Sequence, residues 1–257
     1  MGDVKSNQKK RQYHNLQFHK EFMADTLNRL REFDVSSIPG DTDKFAVIIE
    51  PRPHPDLEYV LRNVMHFLGK EWGLFIVAGP GNKDFLTKLM NGWGKVFIQW
   101  LNKENLTREE FRHLRKSASY WSGLKGKQLI CFETDSIMCR SGIDAFLKYD
   151  YIGAPWAKPY AVSDVVRVGN GGFSLRSKQA MIDMCIKGKA DNIPSEDAFF
   201  SMHLNLHKED YNLPDVETAK KFSVESIYHP SPLAIHKPWS YLTKAEMLTI
   251  YDTIHYG

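Results

Sequence analysis

The apolar residues of this chain follow two different periods. Short continuous apolar runs occur near residues 45–49, 74–78, 96–99 and 129–132. Such runs are typical of strands that are buried on both faces of a parallel sheet. Between them, residues 57–68 are apolar at helical spacing, and Thr107 with Glu110 forms a capping box that predicts a helix running to about Ser122. The alternation predicts an α/β fold, a single domain with a mostly parallel, Rossmann-like sheet flanked by helices.

The regions around this core differ in pattern. Residues 1–13 are polar and predict a flexible tail, and residues 14–43 predict an N-terminal helix, packed on the sheet, followed by a linker. The main domain is expected over residues 44–257, with a first part at 44–136 and a second at 137–257. After Tyr151 the apolar runs shorten and Gly and Pro become frequent, which predicts α+β material packed on the first part's sheet.

Composition narrows the classes of function. The chain has 257 residues and a net charge of +3, which is too mild a charge to indicate a nucleic-acid partner. No apolar run is long enough for a transmembrane segment, and the polar start does not resemble a signal peptide. Three cysteines without CxxC spacing favour a reducing, cytoplasmic location. The first six residues fit a loose myristoylation pattern, which leaves a lipid anchor at Gly2 as the alternative to a plain basic tail.

Two carboxylates directly follow the fourth apolar run. Glu133 and Asp135 are separated by one residue at the expected carboxyl end of a strand, where open α/β sheets bind their ligands. Carboxylate oxygens at this spacing can converge on Mg²⁺ or Mn²⁺, ions that also bind substrate phosphates. The alternative is a solvated strand end with a turn at Asp135, and the spacing alone does not decide between the two.

Three later segments could also carry chemistry, and each has a structural alternative. Gly171 and Gly172 indicate either a tight bend or a close approach to a ligand. Ser195 is a natural N-cap, so Glu196 and Asp197 could simply favour a helix start, or Asp197 could be a general base facing a cleft. His236 is either a structural histidine or a metal ligand with Asp135. Tryptophans such as Trp156 could stack on a sugar, although most buried aromatic residues are core.

Taken in order, these segments resemble a glycosyltransferase-related family that was long classed as a domain of unknown function and looks like a variant of the A-type glycosyltransferase fold. The resemblance covers roughly residues 44 to 240. The matching segments are Val47–Pro55, Phe132–Ser136, Tyr149–Trp156, Val168–Ser177, Glu196-Asp197 and His236–Trp239.

The resemblance implies an enzyme that moves a sugar from a nucleotide-diphosphate sugar, of the UDP or GDP type, onto a glycan or another hydroxyl acceptor. The transfer is expected to be metal-dependent and inverting. The part at 44–136 then binds the nucleotide, and the part at 137–257 binds the acceptor. Two alternatives stay open: a non-catalytic nucleotide- or carbohydrate-binding module, and a nucleotidyltransferase or phosphohydrolase on a similar sheet.

The resemblance also implies roles for single residues. Asp135 and His236 are expected to hold Mn²⁺ or Mg²⁺, whereas Glu133 replaces the first acid of an Asp-x-Asp motif, which leaves its role as a ligand open. The set expected at the donor is Glu50, Arg52, Glu133 and Asp135. The set expected at the acceptor is Trp156, Gly171, Gly172 and Glu196, with Asp197 as the catalytic base.

Overall fold

The main sheet of the protein has six strands. The computed structural model describes residues 2–158, 166–188, 193 and 195–256. The strands are β1 (Lys44–Glu50), β2 (Gly73–Ala78), β3 (Val96–Trp100), β4 (Gln128–Phe132), β6 (Tyr151–Pro155) and β7 (Val168–Ser177), in the spatial order β3-β2-β1-β4-β7-β6. The first four are mutually parallel, and β7 runs antiparallel to both β4 and β6. The parallel sheet predicted from the four apolar runs is therefore confirmed.

A second, smaller sheet lies beside the carboxyl end of β4. It contains β5 (Ser136–Met138), β8 (Ser223–Val224) and β9 (Ala234–His236), in the order β5-β9-β8. Because β5 follows β4 after only three residues, this sheet holds its partner β9 close to the edge of the main sheet.

Helices cover both faces of the main sheet. Their bounds are α1 (Gly2–Glu32), α2 (Leu57–Leu68), α3 (Lys83–Leu89), α4 (Arg108–Arg115), α5 (Ala118–Gly123), α6 (Lys178–Lys187), α7 (Glu196–Leu206), α8 (Val216–Phe222), α9 (Pro238–Tyr241) and α10 (Lys244–Tyr251). Strand side chains alternate between two apolar cores: Ala46 and Ile48 pack with α2 and α10, whereas Phe45 and Val47 pack with α5, α6 and α7.

Three expectations about the elements differ from the structure. The capping box at Thr107 and Glu110 is present, but the helix it opens ends at Arg115, because the indole of Trp121 donates a 2.7 Å hydrogen bond to the Arg115 carbonyl and α5 starts anew. Strand β7 is ten residues long and belongs to the main sheet, so the second half of the chain shares the sheet of the first.

The third difference concerns the N-terminus. Helix α1 begins at Gly2 and so includes residues for which a flexible tail was expected. It packs on α2 and α9. Asn15 donates to the Leu242 carbonyl at 2.9 Å, and Gln12 donates to the Ser240 carbonyl at 3.1 Å, which ties this helix to α9 and its C-cap residue.

Two further properties concern the described residues. None of their helices is both long and apolar enough to cross a membrane. Cys131, Cys139 and Cys185 are all buried free thiols.

Candidate active site

The side chains of Asp135 and His236 meet at the carboxyl edge of the main sheet. Asp135 lies in the turn after β4, and His236 is the last residue of β9. The register of the small sheet pairs Ser136 with His236, and the Lys237 amide donates to the Asp135 carbonyl at 3.0 Å. Strand pairing therefore brings together two residues that are far apart in the sequence, as predicted.

These side chains form an acid–histidine cluster of Glu133, Asp135 and His236. The Nε2 atom of His236 lies 3.1 Å from Oδ1 of Asp135 and 3.9 Å from Oε2 of Glu133. All three ligand atoms lie within 4.8 Å of one another. Two neighbouring ligands on an octahedral ion with bonds of about 2.1 Å are about 3 Å apart, which is close to the Asp135–His236 distance.

The acid–histidine cluster also leaves polar atoms without hydrogen bonds. Oδ1 of Asp135 and both ring nitrogens of His236 are buried, and none of the three atoms has a contact with the geometry of a good hydrogen bond. Buried polar atoms normally have partners, so this pair calls for an additional group. Carboxylates suit Mg²⁺ and Mn²⁺, and imidazole is a common ligand of transition metals, so the residues present fit a divalent cation.

Glu225 lies behind His236 and was missed by the sequence analysis. It follows β8, is 6% exposed, and places Oε1 3.1 Å from Nδ1 of His236. A carboxylate in this position fixes the orientation of a metal-binding imidazole. The sequence signal was weak: an acid after the short run Phe222-Ser223-Val224.

Charges within the site shift the pKa values of its members. Burial lowers the pKa of His236, but the opposing contacts with Asp135 and Glu225 outweigh it and raise that pKa to about 10. Burial raises the pKa of Asp135, but His236 and Lys237 outweigh it and lower that pKa to about 2. Burial and the charge of Asp135 raise the pKa of Glu133.

Lys237 adds a second positive group to this edge. It is the only non-glycine among the described residues with a positive φ, at 51°. The hydrogen bond from its amide to the Asp135 carbonyl lies within this left-handed turn. Its side chain is half exposed, with Nζ 3.9 Å from Oδ2 of Asp135. A positive charge therefore lies beside the acid–histidine cluster.

Gly171 and Gly172 each face a different group of side chains. A Cβ added at Gly172 would overlap the imidazole ring of His236, so only glycine allows this ring its position. A Cβ at Gly171 would lie 3.0 Å from Oε2 of Glu196 and 3.3 Å from Cβ of Asp197. The Gly172 carbonyl accepts from the amide of Glu133 at 3.0 Å, which links the glycines to the turn after β4.

Glu196 belongs to an arginine cluster with Arg115 and Arg176, two residues that the sequence analysis did not single out. Oε1 of Glu196 lies 3.1 Å from Nε of Arg115 and forms an ion pair with Nη1 of Arg176. All three side chains are buried. Arg115 also lies 3.4 Å from Oε1 of Glu133, so it connects this cluster to the acid–histidine cluster.

Glu50 and Arg52 lie together on the wall of a cleft beside the acid–histidine cluster. The cleft has a volume of about 680 Å³, and Glu133, Asp135 and Lys237 also line it. Arg52 binds the buried carboxylate of Glu50 through Nε at 2.9 Å and Nη2 at 3.0 Å, while the rest of its guanidinium stays exposed. We refer to this space as the sheet-edge cleft.

Buried Asn82 supports the wall of the sheet-edge cleft and was also missed from the sequence. Its amide nitrogen lies within 3.0 Å of three consecutive carbonyls, those of residues 50–52, and so fixes the turn after β1. An Asn after Gly79-Pro80-Gly81 suggested a turn, but no local pattern showed what its side chain would hold.

Asp197 is half-buried in the first turn of α7. Its Oδ1 accepts from the Ala198 amide at 2.8 Å and from the Ser195 hydroxyl. Burial and the neighbouring charge of Glu196 raise its pKa. Among the described residues, the sheet-edge cleft is not lined by Asp197. Residues 189–192 and Pro194, which directly precedes the expected N-cap Ser195, lie outside the described part of the chain.

Trp156 follows the end of β6, on the side of the main sheet that carries β7. Its amide donates to the Arg167 carbonyl at 2.8 Å, and its side chain is partly exposed. The described residues that line the sheet-edge cleft do not include it. Trp156, Glu196 and Asp197 therefore lie on the side of the glycine pair away from Glu50 and Arg52, and their acceptor-side roles stay predictions.

A family profile described as "Protein of unknown function (DUF5672)" matches residues 95–236. The chain belongs to the DUF5672 family. The match begins next to β3 and ends at His236, so the family region contains both acids after β4 and the histidine that meets them. In a comparison of sequences, no curated protein matches the chain significantly.

Solved structures share the fold of this DUF5672 chain. The apo form of the glycosyltransferase GlyE from Streptococcus pneumoniae TIGR4 matches with a TM-score of 0.50 and 10% identity, over 84% of this chain and 61% of GlyE. The chain thus spans about three-fifths of the length of GlyE. This likeness shows an α/β fold similar to that of A-type glycosyltransferases.

Two further structures match at lower TM-scores. Mouse xyloside xylosyltransferase 1 gives 0.45 with 10% identity, over 72% of this chain and 87% of that one. The 4-diphosphocytidyl-2C-methyl-D-erythritol synthase from Anaerococcus prevotii DSM 20548 gives 0.43 with 13% identity, over 69% and 86%.

Proposed function

We propose that the chain is a glycosyltransferase that moves a sugar from a UDP- or GDP-type donor to a hydroxyl acceptor, with Mn²⁺ or Mg²⁺ and with inversion. The observation that carries this proposal is the 3.1 Å approach of Asp135 and His236 at the edge of the sheet-edge cleft. Open α/β sheets bind ligands at this edge, and a carboxylate–imidazole pair can hold the cation that such donors need.

In the proposed site, Asp135 and His236 hold the cation, and Glu133 either joins them or orients water. When bound, the ion would neutralise the charge that develops on the departing diphosphate. Lys237 supplies a second positive charge to the same phosphates, because its Nζ lies 3.9 Å from Oδ2 of Asp135. Glu225 keeps the imidazole of His236 oriented toward the ion.

The nucleotide is proposed to lie in the sheet-edge cleft against Glu50 and Arg52. The Arg52 guanidinium donates two hydrogen bonds to the Glu50 carboxylate. The exposed part of the guanidinium is then available to stack on a base or to bind a ribose hydroxyl. Asn82 holds the backbone beneath them. Because these side chains and the backbone beneath them are already held in place, they can orient the donor without a further loss of conformational entropy on binding.

The acceptor is proposed to bind on the other side of Gly171 and Gly172, where Trp156 offers an aromatic face and Asp197 is the general base. A hydroxyl is a weak nucleophile until a carboxylate takes its proton, and the raised pKa of Asp197 favours that transfer. Glu196 contacts Arg115 and Arg176, so we assign it the positioning of the first turn of α7.

The decisive experiment is donor hydrolysis in water, because it needs no acceptor. UDP-glucose and GDP-mannose are incubated with the full chain and Mn²⁺, and nucleoside diphosphate, nucleoside monophosphate and free sugar are quantified. We expect metal-dependent release of nucleoside diphosphate with free sugar. Asp135→Asn should lose this release, whereas Asp43→Asn, an exposed acid before β1 at the opposite edge, should keep it.

The products separate the proposal from its alternatives. Release of nucleoside monophosphate with sugar phosphate would indicate a phosphohydrolase. Release of nucleoside triphosphate with sugar phosphate only when pyrophosphate is added would indicate a nucleotidyltransferase. Either pair of products would overturn sugar transfer. Thermal stabilisation by UDP or GDP with Mn²⁺, but without turnover, would favour a non-catalytic binding module. Ligand at about 100 times its Kd adds roughly 2.7 kcal/mol of apparent stability, so binding alone would be visible.

A further inference from the structure

A separate pocket lies between α7, the start of β7 and the segment before α8. Its volume is about 240 Å³, and the described residues that line it include Tyr151, Arg167, Ser201, Asn205, Leu213 and Asp215. It shares no described lining residue with the sheet-edge cleft. The proposed donor site therefore does not use it.

Two polar atoms of this pocket have no hydrogen-bond partner. Ser201 is 1% exposed, and its Oγ is unsatisfied, as is the buried Nε of Arg167. Gly169 keeps the space beside Ser201 free: its φ of 125° favours glycine, and a Cβ there would overlap the Ser201 hydroxyl. An unsatisfied buried hydroxyl is costly, so a polar ligand that binds here is favoured.

Helix α7 connects this pocket to the proposed catalytic base. Asp197, Ser201 and Asn205 are spaced four residues apart and therefore share one face of the helix. With a rise of 1.5 Å per residue, Ser201 and Asn205 lie about 6 and 12 Å beyond Asp197 along the axis. Arg167 joins the same pocket to Trp156, because its Nη2 lies 3.4 Å from the Trp156 carbonyl.

The chemistry of the lining favours a neutral hydroxylated ring. Arg167 and Asp215 bring opposite charges to the same pocket, so neither an anion nor a cation is strongly selected. Ser201 and Asn205 offer hydrogen bonds, while Leu213 and Val216 offer apolar surface. Sugar rings combine hydroxyl groups with apolar C–H faces, and the volume is close to the lower end of ligand pockets, about 300 Å³.

We propose that this pocket is an acceptor subsite that binds a sugar unit next to the one that receives the transferred residue. The inference rests on the proposed glycosyl transfer and adds to it that the acceptor is itself a glycan or glycoside. One ring would occupy the pocket beside Ser201 and Asn205, and the chain of rings would lead along α7 toward Asp197.

The test uses the full chain and methyl β-glycosides of glucose, galactose and N-acetylglucosamine, with binding followed by saturation-transfer NMR. We expect at least one glycoside to bind. Asn205→Phe should fill the pocket and weaken binding at least tenfold. Leu206→Phe, which adds the same ring to an exposed neighbour on α7, should bind as the unmodified chain does. Ser201→Ala adds no bulk and should weaken binding about 3- to 10-fold.

Hydrolysis of the donor with Mn²⁺ is measured on the same samples and should be unchanged in all three variants. Equal affinity of Asn205→Phe and Leu206→Phe for the glycosides, or no binding by the unmodified chain, would overturn the subsite. Absence of metal-dependent donor hydrolysis in the unmodified chain is a separate result, which contradicts the proposed function while the glycoside titration still decides the pocket.

Discussion

Two clusters of charged side chains lie on either side of the Gly171-Gly172 pair, and they differ in how their charges are balanced. In the acid–histidine cluster, Glu133 and Asp135 surround His236, with Glu225 behind it. In the arginine cluster, a single acid, Glu196, lies between Arg115 and Arg176. The first cluster has an excess of acid, and the second has an excess of base.

Under the proposed function, this difference separates the cation site from a cluster that supports the fold. Three carboxylates face one imidazole in the first cluster, and Oδ1 of Asp135 and Nε2 of His236 approach each other without the geometry of a good hydrogen bond. A divalent cation would correct both defects. In the second cluster Glu196 is neutralised by two arginines, and Arg115 also reaches Glu133 of the first cluster at 3.4 Å. Buried acids therefore indicate function only when their own neighbours do not neutralise them.

The largest expected effect comes from breaking the arginine cluster. Arg176→Met leaves Glu196 buried with one partner fewer, and we expect a loss of about 3 kcal/mol in the free energy of unfolding. Chemical denaturation measures it. Arg31→Met, which removes an exposed ion pair with Glu58, is the matched control and should cost about 1 kcal/mol or less. Equal losses for the two variants would show that Arg176 and Glu196 contribute little to the fold.

The next effect concerns Asp197, the neighbour of Glu196 in the arginine cluster. Asp197→Asn keeps the shape of the side chain and its acceptor for the Ala198 amide but removes the proton acceptor. A fall in the transfer rate of about 100-fold or more is expected, with donor binding unchanged. Asp210→Asn, an exposed acid after α7, should transfer normally. Near-normal transfer by Asp197→Asn would remove Asp197 from the role of base.

The smallest effect is expected from the support behind His236. Glu225→Gln should weaken Mn²⁺ binding about tenfold, measured by calorimetric titration with the metal alone, because the imidazole loses its charged partner. Glu217→Gln, on the exposed side of α8, serves as the control. Arg176→Met should leave Mn²⁺ affinity unchanged if it still folds. An unchanged Mn²⁺ affinity in Glu225→Gln would contradict the assignment of His236 as a ligand.

The sequence could predict the elements because their signals are local. The apolar runs at β1 to β4 mark buried parallel strands, and the capping box at Thr107 marks a helix start. The predicted helix length was wrong, because a contact between side chain and backbone overrides the local pattern. The indole of Trp121 donates a hydrogen bond to the Arg115 carbonyl, and two helices, α4 and α5, form where one was predicted.

The sequence by itself determined the α/β sheet, the acids Glu133 and Asp135 at its carboxyl edge, and the glycine pair. Apolar periodicity and strand ends depend on residues that are close together in the sequence, so local patterns are enough to predict them. Only the tertiary structure decided what those residues meet. The register of β5 with β9 delivers His236 to Asp135, and the pairing of β8 with β9 brings Glu225 behind it. Arg115 and Arg176 become neighbours of Glu196 only through packing of separate elements. Such meetings depend on strand register and burial across the whole chain, which no local pattern encodes.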